Sequence, residues 1–370
     1  MDGFDLGIGI LFPFTRSAQE RDVMVNSVAP VWDGNETWLV LGGAGLFGAF
    51  PLAYAVIIDA LTIPLSLMLV GLIFRGVAFE FRFNATPSHR PFWDKAFMGG
   101  SILATFCQGI VVGAVINGFE VTGRAYSGGA FDWFTPFTLF CGVGLTIAYA
   151  LLGATWLVMK SEASLQQTMK RSARGLLLAL LAVIAIISLW TPMQHEAIAR
   201  RWFSLPNLYY LLPVPLLVIA ASALLWRHLA RDTSHAQPFI AIISLWTPMQ
   251  HEAIARRWFS LPNLYYLLPV PLLVIAASAL LWRHLARDTS HAQPFILTLV
   301  LVFLSFSGLG ISIWPAIIPP SITLWQAAAP VQSQEFMLIG ALFIIPIILV
   351  YTFWSYYVFR GKVPQDEGYH

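Results

Sequence analysis

Charge is what this chain has least of. Asp, Glu, Lys and Arg make up 11% of its 370 residues, against a hydrophobic share of 58% and a mean hydropathy of +0.71. Soluble domains carry about 25% charged residues, so a water-soluble globule is excluded. Cysteine is nearly missing: Cys107 and Cys141 both lie inside apolar runs, and the sequence holds neither a disulfide framework nor a CxxC motif. They read as small buried hydrophobes. Histidine does not occur in the middle of any apolar run. The eight are His89, His195, His228, His235, His251, His284, His291 and His370, so no axial haem pair is expected in a membrane core. His195, reaching a metal or haem from an outer loop, is the one open alternative. A net charge of +2 without a basic patch points to no nucleic-acid partner. The start lacks a basic n-region and a small-residue cleavage site, so a secretory signal peptide is not expected.

What is present is a series of long apolar runs. A membrane span needs about 20 apolar residues. Candidates are Trp38–Ile58, Leu61–Phe81, Phe97–Phe119, Phe134–Met159, Gly175–Trp190, Leu208–Trp226, Phe295–Ile318 and Phe336–Phe359. The fold class expected is an all-α polytopic membrane bundle forming one domain over 1–370, with spans through 38–184, a last pair in 295–359 and a tail at 360–370. Residues 1–14 contain the inner half of a first span, Phe4–Phe14, whose outer half is expected upstream of Met1 because eleven residues are too few to cross. A short interfacial helix is the competing reading, although its polar face is weak.

Residues 185–240 and 241–296 are the same 56 letters. Solenoids carry diverged copies, usually three or more. An identical pair points instead to a recent duplication or a sequence-assembly artefact. The junction makes a chimeric apolar piece, Ala236–Met249, followed by Leu264–Trp282 as a copy of Leu208–Trp226. The chimera reaches about 21 Å, short of a core about 30 Å thick. With the second copy set aside, nine spans remain.

Basic residues orient the bundle. One set of alternate loops carries Arg16, Arg21, Arg82, Arg90, Lys95, Lys160, Lys170, Arg171, Arg174, Arg227, Arg231, Arg360 and Lys362; the other carries Arg124, Arg200 and Arg201. Thirteen against three places the first set and the C-terminus in the cytoplasm. Counting back, the N-terminus lies outside. Asp5 then sits near the bilayer midplane, where a carboxyl group is costly and marks function. The string VWDGNETWLV at 31–40 puts Asp33, Asn35 and Glu36 between Trp32 and Trp38 at the cytoplasmic mouth of a span. It reads as a helix start, with Asp33 or Asn35 as cap, Glu36 on the dipole and the tryptophans as interface anchors, which leaves Asp5 at the midplane unexplained. Asp2 reads equally as a cap. Arg75, five residues from Glu80, is badly spaced for a helical ion pair and reads as snorkelling or meeting a partner. Gly109 and Gly113 form a GxxxG, and Ala44 with Gly48 a looser pair, both suited to close helix contact.

MDGFDLGIGILFPF, VNSVAPVWDGNETWLVLGGAGLFGAFPLAYA, LIFRGVAFEFR and the late WPAIIPPSITLWQAAA and YTFWSYYVFRG carry a resemblance that spans the chain apart from the extra copy. Together they resemble subunit II of the cytochrome bd-type quinol oxidases, with the closest flavour in the cyanide-insensitive bacterial branch. The resemblance implies nine spans in a bacterial inner membrane. It implies a heterodimer with a subunit I that holds haem b and haem d-type groups, in some cases with a small single-span accessory subunit. The complex would oxidise ubiquinol and reduce oxygen to water amid lipid and quinone. This chain would bind no haem or metal itself and would contribute part of a cytoplasmic proton path. By motif match, Asp2, Asp5 and Asp33 are the acids for that path, with Glu36 as helper. Two other readings remain: a secondary transporter with Asp5 as a midplane ion ligand, and a non-assembling product of such a gene.

Overall fold

The computed structural model describes residues 2–15, 17–194, 315–319 and 321–363, with isolated positions between 292 and 302. The runs Leu208–Trp226, Ala236–Met249 and Leu264–Trp282, and nearly all of both 56-residue copies, lie outside the described residues. Contacts group 1–173 with 315–370 in one unit and 174–314 in a second. Of the second unit, the described residues are mainly the far part of one long helix.

The elements are helical almost throughout. They are α1 (Gly3–Leu11) with a 3-10 turn (Phe12–Phe14), α2 (Ala18–Asn26), α3 (Trp32–Ala49), α4 (Pro51–Asn84), α5 (Arg90–Asn117), α6 (Pro136–Lys160), α7 (Ala163–Gln194), α8 (Leu324–Ala327) and α9 (Val331–Val358). Two small antiparallel ribbons join them: β1 (Val121–Thr122) with β2 (Ala125–Tyr126), and β3 (Ala316–Ile318) with β4 (Ile322–Thr323). Among the described residues, α4, α5, α6 and α9 are long and apolar enough to cross a membrane.

Proline and capping chemistry set the boundaries. The expected span Trp38–Ile58 is interrupted: α3 stops at Ala49, Phe50 adopts φ −134° and ψ 61°, and Pro51 opens α4. A residue before proline is pushed away from helical geometry, while proline suits the first helical turn. Pro64 cannot donate to the Ala60 carbonyl and its ring crowds that group. The helix accordingly kinks at Leu61 (φ −121°, ψ 22°) yet continues, so Leu61–Phe81 belongs to the same helix as residues 51–60. Thr135 caps α6 in a reciprocal box with Thr138. Gly118 ends α5 at φ 83°, which favours glycine. The end of the expected span Phe295–Ile318 is not helical, because Ala316–Ile318 is a strand beside Ile322–Thr323. A short apolar run between prolines does not distinguish the two states.

The segment read as half a span is the centre of the unit. Every residue of α1 is buried, held between α5 and α6, which rules out the interfacial-helix reading. Small residues allow that approach. A Cβ on Gly7 would collide with the Tyr149 carbonyl, and one on Gly153 would lie 2.5 Å from the Gly7 carbonyl carbon. Glycine at such crossings lets backbones touch. Gly71 and Gly100 play the same part between α4 and α5, where a Cβ on Gly100 would lie 2.5 Å from the Gly71 oxygen. At one end of the unit, Ile318, Ile322 and Ala327 pack on Ala53 and Val56 of α4. There Ala329 N–H donates to the Ala49 carbonyl at 2.8 Å.

Candidate functional site

Four of the buried polar residues in this unit, three of them on three different helices, face one another. Asp5 on α1 and Arg75 on α4 are both 0% exposed, and Asn35 on α3 is 1% exposed. Asp2 lies just before α1 and is also buried. Burying polar groups at this depth is costly unless they pair, and Asp5, Asn35 and Arg75 do. Asn35 Nδ2 donates to Asp5 Oδ2 at 2.6 Å. Asn35 Oδ1 accepts from the Tyr356 hydroxyl of α9 at 2.9 Å. Arg75 Nη1 donates to Glu36 Oε1 in an ion pair, and Arg75 Nη2 stands 3.7 Å from Asp2 Oδ1.

Arg75 is held on its flat sides as well. Its guanidinium lies 5.7 Å from the Trp32 ring centroid and 5.1 Å from that of Phe79. Trp32 and Phe79 themselves stack at 4.8 Å. A guanidinium favours this combination of aromatic faces and carboxylate partners. Arg75 therefore does not snorkel to the surface as read from sequence. Its acidic partner is Glu36, from another helix, and not the nearby Glu80.

The remaining sequence candidates fall in distinct places. Asp33 is exposed in the first turn of α3 and Glu36 is half-buried. Val31 is the N-cap position of α3 and no side chain caps it, so neither Asp33 nor Asn35 does the capping considered above. The Asp2 side chain makes no capping bond either. Trp38 is half-buried. Gly109 and Gly113 face α6, with a Cβ on Gly109 2.6 Å from Gly142 and one on Gly113 2.9 Å from Cys141. Gly48 meets Met337 of α9, whereas Ala44 is exposed. Several buried polar atoms have no hydrogen-bond partner among the described residues: Asp5 Oδ1, both Asp2 oxygens, and the Ser101 and Thr105 hydroxyls of α5. They extend the polar interior from α1 to the helix packed on it.

Two clusters escaped the sequence reading. At the basic end, Arg82 is 1% exposed and bridges Asp22 at 2.7 Å and Asp94 at 2.6 Å. Arg90 also reaches Asp22 at 2.6 Å, and Arg21 reaches Asp94 at 3.0 Å. These partners come from α2, α4 and α5, so no local spacing reveals them. Nearby, Lys160 donates to the Phe359 carbonyl and to that of Gly361 at 3.1 Å, fastening the end of α9 to α6. At the opposite end, a cavity of about 210 Å³ is lined by Asn117, Glu120, Tyr126, Asp132 and Trp133. Burial, and then the Asp132 carboxylate that accepts its hydrogen bond, push the Tyr126 hydroxyl up to about 12. His89, the one histidine among the described residues, is exposed and within 2.8 Å of the Thr86 hydroxyl. It has no place in the buried cluster.

Comparison with known proteins gives a consistent result. Residues 1–359 match the family described as cytochrome bd terminal oxidase subunit II. Cytochrome bd-I ubiquinol oxidase subunit 2 of Escherichia coli (strain K12) is 28% identical, over 99% of this chain and 91% of that protein. Cytochrome bd ubiquinol oxidase subunit 2 of Bacillus subtilis (strain 168) is 24% identical, over 99% of this chain and 93% of the relative. A solved structure of bd oxidase from Geobacillus thermodenitrificans shares the fold with a TM-score of 0.64 at 14% identity, covering 97% of this chain and 93% of the other.

Proposed function

Because the chain belongs to the cytochrome bd terminal oxidase subunit II family, an oxidoreductase lineage, we propose that it pairs with a haem-bearing subunit I and carries protons toward that subunit's oxygen-reducing centre. Relatives are named as ubiquinol oxidase subunits, and ubiquinol is the proposed reductant of the complex. The haems belong to the partner in this reading and would pass electrons from quinol to oxygen. What this chain adds is a route for the protons consumed when oxygen becomes water. The transporter reading has no comparable support and is set aside.

The observation that carries the proposal is the buried carboxyl cluster. Asp33 stands exposed at the rim and Glu36, three residues on, shares its helix face. Glu36 touches Arg75, Arg75 faces Asp2, and Asp5 lies fully buried one turn along α1. Carboxyl groups exchange protons readily, and a sequence of them leading inward suits proton transfer. Arg75 gives no proton at ordinary pH; its part is to hold Glu36 and Asp2 in place. The many basic residues at the Arg82 end support a cytoplasmic rim, with the C-terminus cytoplasmic, the N-terminus periplasmic and nine spans in a bacterial inner membrane. A small accessory subunit, lipid and quinone complete the proposed surroundings.

The test is Asp5→Asn in the purified two-subunit oxidase. The substitution keeps size and hydrogen bonding but carries no exchangeable acid proton. Oxygen uptake with a soluble quinol is expected to fall at least about tenfold while haem content per complex stays unchanged. Full turnover at unchanged haem content sinks the proton role of Asp5.

A further inference from the structure

We infer that Tyr356 is a positioning residue for Asp5, acting through a reversible flip of the Asn35 side-chain amide. The inference rests on the proton-carrier reading of Asp5 and adds a residue to it from the far end of the chain. Three groups stand in line: Asp5 Oδ2, the Asn35 amide at 2.6 Å, and the Tyr356 hydroxyl at 2.9 Å from that amide. They come from α1, α3 and α9.

The polarity of this line depends on the proton at Asp5. An ionised carboxylate only accepts hydrogen bonds. Asn35 must then point Nδ2 at Asp5, leaving Oδ1 to accept from Tyr356. When a proton arrives and forms an O–H bond on Asp5, that carboxyl can donate. The matching arrangement has Asp5 O–H donating to Asn35 Oδ1 and Nδ2 donating to the Tyr356 oxygen. Half a turn of the amide interconverts the two, because its O and N ends are nearly the same size. The tyrosine turns its hydrogen and keeps its proton; the only bond made is the O–H bond on Asp5. Both arrangements satisfy every member of the line, and a tyrosine is suited to the end position because its hydroxyl donates or accepts.

The surroundings favour a rotation confined to the amide. Asn35 is 1% exposed, so water does not compete freely for its ends. The Tyr356 ring is fixed edge-on to Phe4 at 6.4 Å and to Trp156 at 6.1 Å. The adjacent Ser355 hydroxyl donates to the Pro30 carbonyl at 3.0 Å, pinning α9 to the turn before α3. The charged groups acting on Asp5 are Asp2, just before α1, and Arg75 on α4, with Tyr356 on α9; Glu36 on α3 pairs with Arg75, and Tyr149 on α6 faces Asp2. Of these, Tyr356 is the one joined to Asp5 through Asn35.

Tyr356→Phe tests this, since it deletes the hydroxyl and keeps the packed ring. In the purified two-subunit oxidase, haem content is expected to be unchanged. The pH profile of oxygen uptake is expected to move by about half to one unit, the size of one hydrogen bond to a titrating group. The infrared carboxyl band that disappears in Asp5→Asn is expected to move in Tyr356→Phe. In the double variant, Tyr356→Phe adds nothing to Asp5→Asn, because the pair acts as one unit. An unmoved band together with a wild-type pH profile overturns the inference, as does an equal Tyr356→Phe effect in the Asp5→Asn background. The two readings fail separately. A normal loss in Asp5→Asn with an unmoved band and a wild-type pH profile in Tyr356→Phe removes the inference alone. Unchanged turnover in Asp5→Asn with a moved band removes the proton-carrier reading and leaves the coupling.

Discussion

Arg75→Met is expected to abolish accumulation of the assembled oxidase, not merely to slow it. Arg75 is fully buried, and its removal strands two carboxyl groups, Glu36 and Asp2, that it faces. Breaking a buried ion pair by deleting one partner costs about 3–5 kcal/mol, against a total stability of about 5–15 kcal/mol for a typical fold. The stacking on Trp32 and Phe79 is lost as well. Arg75→Lys is expected to recover only part of the loss, because a lysine cannot reproduce the planar fork between two aromatic faces. Adding Glu36→Gln to Arg75→Met is expected to recover some assembly, since an uncompensated charge is then gone. The check is the yield of two-subunit complex from membranes. Wild-type yield from Arg75→Met contradicts the expectation.

Gly7→Leu has the next largest expected effect. Even a Cβ at this position would strike the Tyr149 carbonyl and come within 2.9 Å of the Gly153 nitrogen. Backbone cannot move aside as a side-chain tip can, so α1 must leave α6. Overpacking a tight core costs about 1–3 kcal/mol and sometimes more, and a leucine here exceeds any space that small shifts create. The separation also carries Asp5 away from Asn35. Both yield and turnover are therefore expected to collapse. Gly99→Ala is the control, because a Cβ there meets nothing within 4 Å. A melting temperature for Gly7→Leu equal to that of Gly99→Ala speaks against the packing described.

These two residues show how far the sequence could be read. The strings DGFDLG and WDGNETW point to the family that the comparisons show, and Asp2, Asp5 and Glu36 stand out beside them because a carboxyl group next to an apolar run is costly. Arg75 stood out less, since its acidic partner is 39 positions away on another helix and the local spacing to Glu80 suggested nothing. Asn35 was read as a possible cap because it follows a turn. Its amide instead crosses to α1. Tyr356 carried no signal at all: it sits among other aromatics near a span end, a pattern shared with any interfacial belt. Helix breaks were legible only in part. Pro51 lies in a continuous apolar run, so the hydropathy pattern passed over the interruption at Phe50. Of the ion cluster, Arg21, Arg82 and Arg90 count in the sequence only as basic loop residues, and their partners Asp22 and Asp94 carry no signal. Its pairing depends on three elements meeting.

In the proposed function, protons for oxygen reduction pass through the buried acids of this chain. Proton uptake during a single turnover, followed with a pH indicator after oxygen is admitted to the reduced complex, tests it most directly. With Asp5→Asn, electron transfer to oxygen is expected to begin at the normal rate, while proton uptake lags by at least about tenfold. Proton uptake in step with the wild-type complex would place the route outside this cluster and contradict the account.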